Sequence, residues 1–181
     1  MHPRAALTRT VAAACAAALV GLWALPAAAD PPQFDTLPVV GSFTGVTLNG
    51  TAQLATATIT PFIVEDSSAT LNGWNVTLTI PNLQNGTGDD CATGATETLP
   101  ADHISMDAPV VTPADGTTSM TGVSAAGFTD FTSPRIIIDA AAGTGAGTYD
   151  VSPELVQLPI PPDTAAGTYC TLATIAIASG P

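Results

Sequence analysis

The chain has 181 residues, 15 of them Asp or Glu against 3 Lys or Arg, for a formal net charge of −12. It contains no lysine, and beyond the first 29 residues Arg135 and His103 are the only basic side chains, which excludes nucleic-acid binding by phosphate neutralisation and electrostatic docking onto an anionic membrane. At 46% hydrophobic and 10% charged residues, the chain is too apolar for a disordered acidic tail and can bury a core.

Arg4 and Arg9 begin a positive n-region, followed by the apolar run VAAACAAALVGLWAL from Val11 to Leu25. Pro26 breaks that run, and Ala27-Ala28-Ala29 supplies the small residues a signal peptidase needs before Asp30. The run is shorter than the roughly 20 residues of a transmembrane helix. Ala-Ala-Cys at Cys15 has the look of a lipobox end, but most of the apolar core follows that cysteine instead of preceding it. Residues 1–29 are therefore read as a cleaved secretory signal and 30–181 as one exported domain, with no membrane insertion after cleavage. Cys91 and Cys170 then remain as an even pair in an oxidising compartment, where a structural disulfide is expected. Closing a loop of roughly 80 residues would stabilise the fold by about 4 kcal/mol.

The exported part reads as strands throughout. Phe43–Leu48 and Thr51–Ile59 flank Asn49-Gly50, a hairpin signal. Pro61–Val64 is a short apolar strand ending in the polar turn Glu65–Ser68. Asn72-Gly73 precedes Trp74–Ile80, in which Trp74, Val76, Leu78 and Ile80 share one face. Asn85-Gly86 opens a Gly- and Asp-rich loop that carries Cys91. Ile104–Met106 and Val110-Val111 are short strands, and 113–132 reads as connecting turns. Arg135–Asp139 is a buried-strand signal. Glu154–Ile160 is a strand that Pro159, Pro161 and Pro162 mark as an edge. Gly167–Ser179 reads as one long closing strand. Short strands separated by turn signals, without a repeat of 20 to 50 residues, predict an all-β fold: a single antiparallel β-sandwich, Greek-key, Ig-like or barrel-like.

Chemical motifs are sparse. Gly143–Gly147 (GTGAG) follows a strand, but no helix pattern follows to hold a pyrophosphate, so it reads as a loop. His103 has Asp102 and Ser105 beside it in sequence but no nucleophile-elbow context, and one histidine without further ligands makes no zinc site. Glu65, Asp66, Asp89 and Asp90 fall in turns and are candidate calcium ligands, although without EF-hand spacing. Asn49, Asn75 and Asn85 begin Asn-X-Thr sequons, discounted because the alanine-rich, lysine-free bias looks bacterial. No catalytic residues emerge, and the chain reads as non-enzymatic, with no cofactor other than the calcium candidate.

Two segments together resemble the WxL domain of Gram-positive surface proteins in its actinobacterial form. One is FIVEDSSATLNGWNVTL at Phe62–Leu78, and the other is AGTYCTLATIAIASGP at Ala166–Pro181. Leu99-Pro100 and the run Ala142–Tyr149 lie between them in the family's style. Val76 stands where the family usually has leucine. Ala173 and Ile175 stand where its distal motif has leucine and a second tryptophan, whereas Tyr169 and Thr174 keep their places. The resemblance implies a cell-surface protein held non-covalently on peptidoglycan or on another surface protein, with Trp74, Val76, Tyr169 and Thr174 as binding positions. Apolar alternation leaves open whether Trp74 is exposed for stacking on sugars or fills the core. The sequence shows no C-terminal sorting motif after Ile177. Two rival readings stand beside this one. A secreted glycan-active hydrolase would need two carboxylates facing each other roughly 5 to 9 Å apart. A pilus-like subunit would leave a donor strand, Asp30–Val40, unpaired in the monomer.

Overall fold

The computed structural model describes residues 30–68, 71–86 and 97–180. Residues 1–29, read above as a secretory signal, and Cys91, Asp89 and Asp90 lie outside them.

The described chain is all-β. Its strands are β1 (Gln33–Thr36), β2 (Gln53–Ile59), β3 (Phe62–Asp66), β4 (Trp74–Thr79), β5 (Leu83–Asn85), β6 (Thr98–Leu99), β7 (Ser105–Met106), β8 (Val111–Pro113), β9 (Val123–Ala125), β10 (Arg135–Ala140), β11 (Gly147–Val151), β12 (Glu154–Ile160), β13 (Tyr169–Cys170) and β14 (Thr174–Ser179), with one 3-10 turn at Ala101–His103. They form four sheets, in the orders β1-β3-β11-β8, β14-β4-β10-β9, β2-β12-β7 and β13-β5-β6. The pairings are antiparallel. Period-2 patterning explains the layering. In β4, Trp74, Val76 and Leu78 turn inward and Asn75, Thr77 and Thr79 outward. The inward residues join Phe62, Val64, Ile138, Tyr149 and Val156 in one contiguous core.

Several expected elements have different neighbours from those predicted. At the Asn49-Gly50 hairpin only the second strand forms regularly. Asn49 Oδ1 accepts from the Thr51 N–H, the Thr51 hydroxyl and Gln53 Nε2, and these local bonds hold 45–52 as a loop in place of a tight ladder. The first strand survives only at its start. Gly41 N–H donates to Thr58 O and Thr44 N–H to Thr56 O, at 2.9 and 2.8 Å, so three residues advance against two in a bulge-like step.

Glu154–Ile160 is central, not an edge. It pairs with β2 along its whole length and with β7 at Val156 and Gln157. Pro159 is tolerated because β7 has already ended there, so its missing N–H falls where no ladder bond is needed.

The long closing strand is two strands in two sheets. β14 pairs with β4 and β13 with β5. The partner chain breaks at Pro81 between β4 and β5, and the closing segment turns the same corner, pinned by the Thr171 hydroxyl donating to Pro81 O at 3.0 Å. Within 113–132, read as turns, Val123–Ala125 forms β9 at the end of a sheet beside β10.

β1 pairs with β3 in its own chain. The segment named as a donor strand is therefore already part of a sheet.

Candidate functional site

Trp74 lies in the core. Its side chain is 0% exposed, its indole N–H donates to Gly145 O at 2.8 Å, and its ring centre is 5.6 Å from that of Tyr149. A ring so enclosed has no face to offer a sugar, which corrects Trp74 as a stacking residue. Val76, two residues along the same face, is equally buried, between Ile138 and Ile177 on the neighbouring strands. Thr174 is exposed on β14 opposite Thr79, at the other end of β4 from Trp74, about 17 Å away by strand rise. Tyr169 is half-buried on β13, with its hydroxyl donating to Ala165 O at 3.1 Å. The four residues do not converge on one site.

Tyr169 nevertheless stands in a site of its own. Two surface grooves of about 510 and 620 Å³ share Phe43, Leu83, Thr168 and Tyr169. Val46, Leu48 and Leu99 extend the first groove, and Val39, Ile80 and Leu172 the second. The bulged segment after β1 forms one wall. The other is the 164–173 segment, held by Gly86 N–H donating to Thr168 O at 3.2 Å and by the pairing of Tyr169 with Asn85. Neither groove has a charged side chain among its described lining, in a chain with a net charge of −12. Leu172 is 80% exposed at the rim. Sequence reading missed Phe43 and Leu83; the available signal was Leu172, an apolar residue that fits no alternation.

The acidic residues are dispersed. Asp66 is buried at the end of β3, where Oδ1 accepts from the Ser68 N–H at 2.9 Å. Glu65, beside it, is half-buried opposite Gln33 and Thr148. Glu154 accepts from the Val110 N–H at 3.1 Å. Asp150 is the lone acid of a third groove of about 340 Å³ beside Phe62. Asp130 binds Arg135, which also lies over the Phe128 ring at 5.6 Å. The Thr132 hydroxyl and then Arg135 hold the Asp130 carboxyl at about 2. Bonds from Thr118 and Thr117 likewise hold Asp115 at about 2. His103 stands exposed, 3.6 Å from Asp102. Among the described residues, no three His, Cys, Asp or Glu side chains gather as a metal cluster, and no described groove is lined by two carboxylates. Cys170 is half-buried on β13 opposite Gln84.

No family model, curated protein or solved structure matches the chain. The geometry alone therefore defines the candidate, and it is the uncharged, aromatic-walled groove around Phe43 and Tyr169. With hydroxyl-bearing Thr44, Thr164 and Thr168 along it, such a groove suits a neutral ligand with an apolar face.

Proposed function

We propose that the protein is exported, folds as a single β-sandwich domain resembling WxL proteins, and sits non-covalently at the cell surface as a non-enzymatic wall-binding protein. The groove at Phe43 and Tyr169 is its contact with the neutral sugars of peptidoglycan. The observation that carries this reading is that groove's lack of charge: an acidic protein is repelled by anionic wall polymers at long range and needs a neutral surface where it touches glycan. Tyr169 supplies an aromatic face there, taking the part that Trp74, enclosed in the core, does not play.

The same proposal pairs Cys91 with Cys170. In its support, Cys91 falls in sequence between β5 and β6, whose near ends are joined by Asn85 N–H donating to Glu97 O at 2.9 Å, and β5 is the strand that pairs with Cys170's own.

A partner-held reading is favoured by one feature: β14 lies at the end of its sheet, paired among the described strands with β4, so its outer edge is a place for a strand from another surface protein. Co-sedimentation with purified peptidoglycan separates the two. Binding that Tyr169→Ala abolishes supports the groove, and absence of binding by the folded protein favours a partner.

A further inference from the structure

Asp66 is 1% exposed, and its Oδ2 has no hydrogen-bond partner among the described residues, unlike the Oδ1 that accepts from Ser68. A buried carboxylate left half-satisfied is costly unless something positive meets it. No basic side chain does so: of the two described, Arg135 is engaged with Asp130 and His103 stands beside Asp102 on an exposed turn.

The facing strand and the segments beside it bring oxygen-bearing residues to this end of the core. Asp66 lies directly opposite Gly147 on β11, so its side chain and the position of a Gly147 Cβ face the same way, about 5 Å apart. Gly147 has φ +119, and a Cβ there would meet Thr118 Oγ1 at 2.5 Å. The absent side chain thus leaves room for the Thr118 hydroxyl over Gly147, on the strand that faces Asp66. Thr118 Oγ1 itself accepts from the Thr148 N–H at 3.4 Å. Tyr149, two residues further along the same face, directs its hydroxyl at Ser119 O (2.9 Å) and Ala146 O (3.2 Å). One phenolic proton serves one of those carbonyls at a time. Register sets Tyr149 opposite Val64, two residues from Asp66 on the same face, and burial and then the charge of Asp66 push the Tyr149 pKa above its ordinary value.

We propose that Asp66 anchors a calcium site at this end of the core, completed by neutral oxygens from the Thr118 hydroxyl, the Tyr149 hydroxyl and the Ser119 and Ala146 carbonyls. Hard oxygen donors without nitrogen or sulfur are what calcium selects. With one carboxylate the site is weak, with a Kd on the order of 10⁻⁴–10⁻³ M, as in extracellular modules. The loops that carry Thr118 and Ala146 are joined to β3 through the ion, so calcium acts as a structural clamp. This site is independent of the wall-binding reading.

The test uses the purified full-length exported protein, with calcium chloride and terbium chloride as probes. Trp74 is the only tryptophan beyond residue 29 and its indole is bonded to Gly145, next to Ala146, so excitation of Trp74 should sensitise bound terbium. The expected result is terbium luminescence that calcium competes away. In parallel, Tm should rise by a few degrees between EDTA and roughly 10 mM calcium. Asp66→Asn should lose both responses, and Thr118→Val, which keeps the shape of the side chain, should weaken both even if the first variant folds poorly. The assignment is overturned by a Tm indifferent to calcium, by Asp66→Asn responding as the parent does, or by sodium at matched ionic strength producing the same shift.

Discussion

Trp74 and Gly145 are 71 residues apart in the chain and joined by a buried 2.8 Å hydrogen bond from the indole N–H to the glycine carbonyl. Gly145 has φ +84, and a Cβ on it would fall 2.7 Å from Trp74 Nε1. The glycine-rich stretch before β11 is therefore a close-fitting cover over the tryptophan. Trp74→Ala should destabilise by about 3–5 kcal/mol through the cavity it opens. Trp74→Phe should cost less, about 1–3 kcal/mol, by leaving the carbonyl unpaired, and Gly145→Ala should be destabilising on backbone strain and clash together. Urea unfolding of the three variants measures this; a Trp74→Ala variant as stable as the parent would contradict the enclosed ring.

Pairing of Cys91 with Cys170 predicts that reduction, or the double replacement by serine, lowers the urea midpoint. The loss should be of the order of 4 kcal/mol for a loop of about 80 residues. An unchanged midpoint under dithiothreitol would show that the two cysteines are not bonded to each other.

Asp115 and Asp130 both have carboxyl groups held at about 2, below the usual 3.8. Since the folded value is the lower one, their contribution is present above pH 4 and is lost as the pH falls from about 4 toward 2. Both are solvent-exposed, so the effect of each is modest. Asp115→Asn and Asp130→Asn should flatten the decline of Tm across that window and leave its slope between pH 5 and 7 unchanged. Tyr149 acts in the opposite range. Its pKa is raised by burial first and by Asp66 second, so the neutral phenol stabilises the fold up to pH 10 and that contribution is lost on ionisation above it. Tyr149→Phe should remove this alkaline loss, read as Tm against pH.

Period-2 patterning made the strand faces legible. It placed Trp74, Val76 and Leu78 on one side of β4, where all three are buried, and it delimited Glu154–Ile160 to the residue. It could not show what covers a face. The cover of Trp74 comes from Gly145 and Tyr149, and the glycine-rich approach to β11 reads as a loop although Tyr149 is a core residue. Proline misled in one place and was underread in another. Pro159 suggests an edge but lies in a central strand beyond the reach of β7, and Pro81 divides β4 from β5 and with them the whole C-terminal strand. The groove was hidden because Phe43, Leu83 and Tyr169 are brought together only by pairings distant in sequence, whereas Tyr169 alone was marked by resemblance.

Groove binding predicts a separation of stability from function. Tyr169 is half-buried and its hydroxyl bond is exposed, so Tyr169→Ala should cost about 1 kcal/mol of stability or slightly more. Its effect on glycan binding should be much larger. Leu172→Ser at the rim, already 80% exposed, should leave stability unchanged within about 0.5 kcal/mol. Thermal unfolding of the two variants checks both figures.

The most direct measurement is co-sedimentation of the protein spanning Asp30–Pro181 with purified peptidoglycan, beside Tyr169→Ala and Trp74→Phe, each shown to be folded. The account predicts that the parent and Trp74→Phe enter the pellet together while Tyr169→Ala stays in the supernatant. A Tyr169→Ala variant that sediments as the parent does, or a folded parent that never sediments, would contradict wall binding through this groove.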